Sequence, residues 1–333
     1  MIDRRTFLAG TGAVLLATPL AAGAQQAGKV WRIVTMQEDF TSSPPLGQGP
    51  FFDRMRELGW VYGQNFVMER RTWGDQIERV PDLAAEVIRS GVDVFIVPGE
   101  GAARPVQQVT RTIPIVTSTA ADLVQNGLAA SLGRPGGNVT GVQTLTRDLV
   151  GKQFSLLKEA SPGLSRSGFL IPEFSSEAGR KFLQATIREA EASGKELGIR
   201  LQIVVVRRAE DFDTAFSAFR DQRAQGILVL RTPFIFAHRK TIVALALKHR
   251  LPTISEIFSF AREGGLMSYS FDPRDISRLM AETIDKILRG AKASEIPIQQ
   301  PTTFQFVINL KTAKALGLTI PPSVLGRADE VIQ

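Results

Sequence analysis

A chain of 333 residues, 44% hydrophobic and 22% charged, is long enough for two domains with a sizeable core. Its net charge of +7 comes from 40 Lys and Arg scattered among 33 acids, and the pairs Arg70-Arg71 and Arg207-Arg208 lack the interleaved aromatics that stack bases, which argues against nucleic acid as a partner. With no cysteine and only two histidines, His238 and His249, the composition excludes disulfides and thiolate chemistry and argues against a histidine-rich metal site; no cofactor and no metal are expected.

The chain opens with "MIDRRTFLAGTGAVLLATPLAAGAQQ". Arg4-Arg5 are followed by Thr6-Phe7-Leu8, an apolar stretch from Ala9 to Leu20 too short to span a bilayer, and Ala22-Gly23-Ala24. This pattern predicts a twin-arginine export signal over 1–24, cleaved after Ala24. No cysteine follows to carry a lipid, and no later apolar run is long enough to cross a membrane. The mature protein is therefore expected to be soluble, periplasmic and monomeric.

Beyond the signal, strand-like and helix-like segments alternate. Val30–Met36 reads as a buried strand, Phe51–Leu58 as a helix stopped by Gly59, and Asn65–Trp73 as extended. Gln76–Ser90 carries Ile77, Val80, Leu83, Ala84, Val87 and Ile88 on one helical stripe. "VDVFIVP", "IPIVTST" and "NVTGVQTL" come next as strands, separated by helices starting near Ala102 and Asp122. Continuous apolar strands between helices predict a parallel sheet covered on both faces.

The pattern then repeats. Arg166–Pro172, Arg200–Val206, Gly226–Leu230, Leu251–Ser255 and Gly265–Ser270 read as strands, with helices over Glu177–Leu197, Phe212–Gln225 and Ala237–His249. Arg274–Arg289 places Ile276, Leu279, Met280, Thr283, Ile284, Ile287 and Leu288 on one face; an extended "EIPIQQPTTFQFVINL" and a short helix over Lys311–Leu316 complete the chain. The predicted fold class is α/β: two Rossmann-like lobes with parallel sheets, joined by three hinge strands near Leu145, Phe271 and Pro301. Lobe 1 takes 29–145 plus 271–300, and lobe 2 takes 146–270 plus 301–333.

Three blocks carry a family likeness. "IPIVTSTAADLVQNGLAASLGRPGGNVTGV" (Ile113–Val142), "ELGWVYGQNFVMERR" (Glu57–Arg71) and the whole of Gly264–Gln333 resemble ABC-transporter substrate-binding proteins related to tryptophan/tyrosine-binding lipoproteins. The resemblance implies a type I periplasmic-binding fold whose lobes close on a small solute, with an ABC permease and ATPase as partners. The chain departs from the family at Asp122-Leu123-Val124, at Tyr269-Ser270 and at Pro172-Glu173-Phe174. All three lie in loops expected to line the cleft, so the resemblance carries the fold and leaves the ligand open.

In open parallel sheets, ligands bind beyond the carboxyl ends of the strands. The loops there supply the candidate binding residues. Phe40 and Thr41 follow the first strand. Gly99, Glu100 and Gly101 follow the third, where backbone N–H groups and a helix N-terminus face outward; the stretch is either a tight turn or a ligand loop. Arg104 stands where a dinucleotide fingerprint needs its third glycine, so a nucleotide is disfavoured. Ser118 and Thr119 end the fourth strand, with Asp122 able to cap the succeeding helix. In lobe 2 the candidates are Phe174, Phe234, Ser255, Tyr269 and Arg231, the last either a carboxylate clamp or a surface salt bridge.

The sequence holds no G-x-S-x-G elbow, no P-loop and no H-E-x-x-H, and neither histidine neighbours a credible nucleophile, so no catalysis is expected. The reading is a periplasmic receptor delivering a small organic ligand to an ABC importer. The expected ligand class is a carboxylate, with aromatic and amino acids both compatible; the residues do not name the solute. The alternative is a periplasmic ligand sensor feeding a signalling receptor.

Overall fold

The computed structural model describes residues 29–333 except 39, 41, 42, 75, 145, 175 and 176. The expected signal segment, Thr41 and Leu145 lie outside the described residues.

Lobe 1 is built from β1 (Trp31–Gln37), α1 (Pro50–Glu57), β2 (Phe66–Thr72), α2 (Val80–Arg89), β3 (Val94–Ile96), α3 (Glu100–Val109), β4 (Ile115–Thr119) and β5 (Val139–Gln143). Its five strands are all parallel in the order β2-β1-β3-β4-β5. In β1, Ile33 and Val34 point to opposite faces and both are buried, because helices cover the sheet on each side. Val80, Ala84 and Val87 of α2 and Ala102, Ala103 and Val106 of α3 fill one face.

The helix expected near Asp122 does not form. Residues 123–127 make turns instead, with Asn126 N donating to Asp122 O and Gly127 N to Val124 O, both at 3.0 Å. The segment is too short to repay helix nucleation before Gly127, at φ +69°, breaks the run. Asp122 still caps, its Oδ1 accepting from Val124 N and Gln125 N at 3.0 Å.

Lobe 2 repeats the plan with α4 (Thr146–Ala160), β6 (Arg166–Pro172), α5 (Glu177–Leu197), β7 (Arg200–Val206), α6 (Asp211–Asp221), β8 (Ile227–Val229), α7 (Pro233–Ala237), α8 (Arg239–Lys248), β9 (Thr253–Ser255) and β10 (Met267–Phe271). The strands β7-β6-β8-β9-β10 are parallel in the same order as lobe 1. One face packs on α4 and α5 around Phe154, Leu157 and Phe169. The other packs on α6 and α8 around Phe212, Phe216, Phe219 and Ile242.

After β10 the chain returns to lobe 1 as α9 (Pro273–Leu288). Leu279, Met280, Ile284, Ile287 and Leu288 bury beside Phe52 and Met55 of α1. At about 1.5–3 kcal/mol per buried side chain this stripe far outweighs the Arg54–Glu282 ion pair at 2.8 Å, which is worth about 1 kcal/mol at most. Apolar burial therefore decides where α9 sits. Gln299 then pairs with β5, its N donating to Gly141 O and its O accepting from Gln143 N, each at 2.8 Å.

The chain crosses back to lobe 2 as β11 (Phe304–Asn309), antiparallel to β10, and passes through α10 (Leu310–Leu316) and α11 (Pro322–Leu325) to β12 (Glu330–Ile332). The last strand lies parallel to β11 at the sheet edge, an addition to the expected elements. Three residues with no alternation give it no sequence signature.

Candidate functional site

The carboxyl ends of β1, β3 and β4 and those of β6, β8 and β9 form equivalent rims on the two lobes. In lobe 1, Gly99 caps α3 at φ +80°, ψ 148°, a conformation that glycine adopts freely. Its N–H donates to Ser118 O at 2.9 Å, which joins the β3 and β4 rims. Glu100 does not point its charge freely outward. Its Oε1 accepts from Arg104 Nη2 at 3.0 Å and its Oε2 from Asn126 Nδ2 at 3.1 Å, while Arg104 also donates to Asn126 O. The arginine at the missing third-glycine position thus neutralises the acid four residues earlier. Space lies open around Gly101.

Ser118 is half-buried, whereas Thr119 is buried and accepts from Ala121 N at 3.0 Å through Oγ1. Phe40 lies under the guanidinium of Arg70, 4.9 Å from the ring centre.

Lobe 2 presents side chains where lobe 1 presents backbone. Arg231 follows β8, its side chain 51% exposed and its Nη1 3.9 Å from Glu256 Oε1. Glu256 follows β9 and is 8% exposed. Ser255, directly before it, is fully buried: its Oγ donates to Val229 O at 2.9 Å and accepts from Ile257 N at 3.2 Å. The Ser255 hydroxyl thus bonds within lobe 2, and Glu256, also buried, follows at the strand's end.

Phe174 is half-buried and meets Phe182 edge-on at 6.0 Å. Phe234 stacks on Phe212 at 5.7 Å and lies 4.7 Å from His238, so it packs at the margin of the core. Thr232 sets that placement by capping α7, its Oγ1 accepting from Ile235 N at 3.2 Å.

Tyr269 sits on β10 with its ring stacked on Phe304 at 5.6 Å and 6°. Burial, and then the negative charge of Asp329, push its hydroxyl above the usual tyrosine value, so it stays protonated at neutral pH. Its carbonyl accepts from Gln153 Nε2 at 3.0 Å.

The structure therefore joins Gly99 with Ser118 on one rim and sets Arg231 beside the Ser255-Glu256 turn on the other. Glu256 carries a signal readable in the sequence, an acid beside Ser255 in the pair that ends the fourth strand of lobe 2; Phe304 is not among the expected residues. Phe304 carries no such signal, because its ring enters through the antiparallel β10–β11 register that pairs Phe271 with it.

A depression of about 460 Å³ lined by Val205, Arg207, Arg208 and Asp211 flanks this rim at edge strand β7. Its arginines are open to water and held by Glu173 at 3.2 Å and Asp211 at 3.4 Å, which makes it a solvated ion-pair surface rather than an enclosed site. Among the described residues no group of three His, Cys, Asp or Glu side chains is arranged to hold a metal, and no helix is long and apolar enough to cross a membrane.

A family model described as "ABC transporter substrate binding protein" matches residues 49–332. The chain is 20% identical over 269 residues to a tyrosine-binding protein of Clostridioides difficile, covering 80% of this chain and 75% of that one. Its fold is similar to a Streptococcus pneumoniae ABC domain in complex with L-Trp, with TM-score 0.77, 25% identity and coverage of 91% and 100%. A conserved domain protein of Vibrio cholerae shares the fold at TM-score 0.79 and 24% identity, again over 91% and 100% of the two chains. The architecture is the two-lobed type I periplasmic-binding fold. With a match across so much of its length, the chain belongs to the ABC transporter substrate binding protein family.

Proposed function

We propose that this protein is the solute receptor of an ABC importer, exported to the periplasm by its twin-arginine segment, that takes up a small organic carboxylate of the aromatic or amino-acid class. The lobes comprise residues 29–145 plus 271–300 and residues 146–270 plus 301–333, with 271 and 301–303 lying in the connections between them. They close on the solute about their three connections, and the closed form engages the permease.

One observation carries the reading: two rims of unlike chemistry stand at equivalent strand ends. The first-turn N–H groups of α3 after Gly99, which have no acceptor within the helix, and the Ser118 hydroxyl offer hydrogen bonds from one lobe, and the half-exposed Arg231 offers a planar charged fork from the other. A ligand touching both lobes stabilises the closed state by what it gains over touching one. Phe174 and Tyr269 border the rim and favour a planar body. The ligands named for two relatives, tyrosine and L-Trp, are both aromatic carboxylates.

The test is a thermal-shift screen of the chain from Gln25 onward against aromatic amino acids, aromatic acids and short organic acids. Each is paired with its decarboxylated analogue. A ligand at a hundred times its dissociation constant stabilises by about 2.7 kcal/mol. The expected result is a shift with a carboxylate and none with its amine analogue. Equal shifts for both members of every pair, or none at all, would remove the carboxylate reading.

A further inference from the structure

Two of the three connections between the lobes run side by side, and one carboxylate ties them together. β10 leaves lobe 2 at Phe271, and the next residue, Asp272, already belongs to α9: its Oδ1 caps the helix by accepting from Arg274 N at 2.8 Å. The returning strand is held to lobe 1 at Gln299 through β5 and joins lobe 2 only at Phe304, opposite Phe271.

Between those anchors, Thr302 N and Thr303 N donate to Asp275 Oδ2 at 3.2 and 3.3 Å. Asp272 N donates to Thr303 O at 2.9 Å. Asp275 is buried in the first turn of α9, and its other oxygen accepts from Arg278 Nη2 at 2.6 Å and Nε at 3.2 Å. These bonds hold the strand to lobe 1 as far as residue 303, and the strand pairing from 304 holds it to lobe 2.

We propose that Asp275 is a positioning residue for lobe closure. By fastening residues 302–303 to α9 it makes the two crossings act as one, and confines bending to the adjacent 271–272 and 303–304 links. Without it, residues 300–303 become a slack tether, and the lobes sample a broader set of orientations. A buried carboxylate that accepts from two amides and one guanidinium is suited to this, because losing it releases residues 302–303 from α9. The proposal rests on the reading that the lobes close on a solute.

The test uses the ligand-free chain from Gln25 onward. It contains no cysteine, so spin labels attach only where Glu86→Cys on α2 and Thr214→Cys on α6 place them. In Asp275→Ala, amide exchange in the segment 299–304 is expected to quicken about tenfold, β1 and β6 to keep their protection, and the inter-lobe distance distribution to widen. Asp275→Asn, which keeps an acceptor and loses the Arg278 pair, gives a smaller change of the same kind and decides the matter should the alanine variant not fold.

Unchanged exchange at 299–304, an unchanged distance distribution, or a uniform loss of protection across both lobes in Asp275→Asn would each overturn the proposal. A solute screen without any shift would remove the receptor reading and leave this exchange result standing.

Discussion

The two lobes share one strand order and differ in what their rims offer. In lobe 1 the ends of β3 and β4 present Gly99, Gly101 and Ser118, and the acid Glu100 is neutralised by Arg104 of its own helix and by Asn126. In lobe 2 the ends of β6, β8 and β9 present Phe174, Arg231 and Glu256. The scaffold fixes where a ligand is met, and the residues appended to each strand decide how. A duplicated architecture has been given one lobe of backbone donors and another of charged and aromatic side chains.

That contrast can be tested, and the tryptophans make it convenient. Trp31, Trp60 and Trp73 all belong to lobe 1, so their fluorescence reports that lobe alone while circular dichroism reports both. The greatest change expected is from Gly141→Ala, at φ +138° in β5, where an added methyl would fall on the Thr117 backbone. Loss of about 3–5 kcal/mol should appear in the tryptophan signal during urea unfolding. In lobe 2, Gly168→Ala on β6 meets the Phe219 ring, which can shift, and should cost about 1–3 kcal/mol, visible in circular dichroism. Equal costs would mean that neighbouring backbone is no less yielding than a ring.

For the rims, Arg231→Ala should weaken carboxylate binding at least about tenfold, or about 1.4 kcal/mol, by titration calorimetry. Ser118→Ala should cost about 0.5–1.5 kcal/mol in the same titration. The reverse ranking would place the dominant grip on lobe 1.

The smallest effect concerns acid. For Asp275, burial works to raise the carboxyl, but Arg278 and the Thr303 and Thr302 amides outweigh it and hold it below the ordinary carboxylate value. For Glu159 in lobe 2, burial is likewise outweighed by Arg327 and Ser155. A lowered native value means that each contributes stability fully present at neutral pH. That stability is lost as pH falls below about 4 and through the native value. Asp275→Asn should therefore flatten the acid limb of the tryptophan signal, and Glu159→Gln that of circular dichroism alone. A common response in both signals would show that the lobes unfold as one unit.

Much of this fold was legible in the sequence because parallel sheets leave strong marks. Runs such as Phe169–Ile171 and Ile227–Val229 are buried on both faces, and α9 carries its stripe openly. The segment after Asp122 turns where a helix is expected, because a cap and an apolar residue look the same before a helix and before a turn. The rims were legible as places and less so as residues. Arg231 stands where strand-end reasoning put it, half-exposed. Ser255 shows the limit: whether a hydroxyl bonds inward or outward depends on a neighbouring carbonyl, here that of Val229, which one-dimensional spacing does not reveal.

The interleaving of the two sheets bears on how the polypeptide reaches this form. Lobe 1 is incomplete until α9 covers Phe52 and Met55, and the lobe 2 sheet lacks an edge until residues 330–332 dock beside β11. A ribosome must release nearly the entire chain before either half can mature, and closing such distant contacts slows assembly. Truncation before Phe304 would bare the β10 edge to pairing with other chains, so fragments should aggregate where the intact molecule does not.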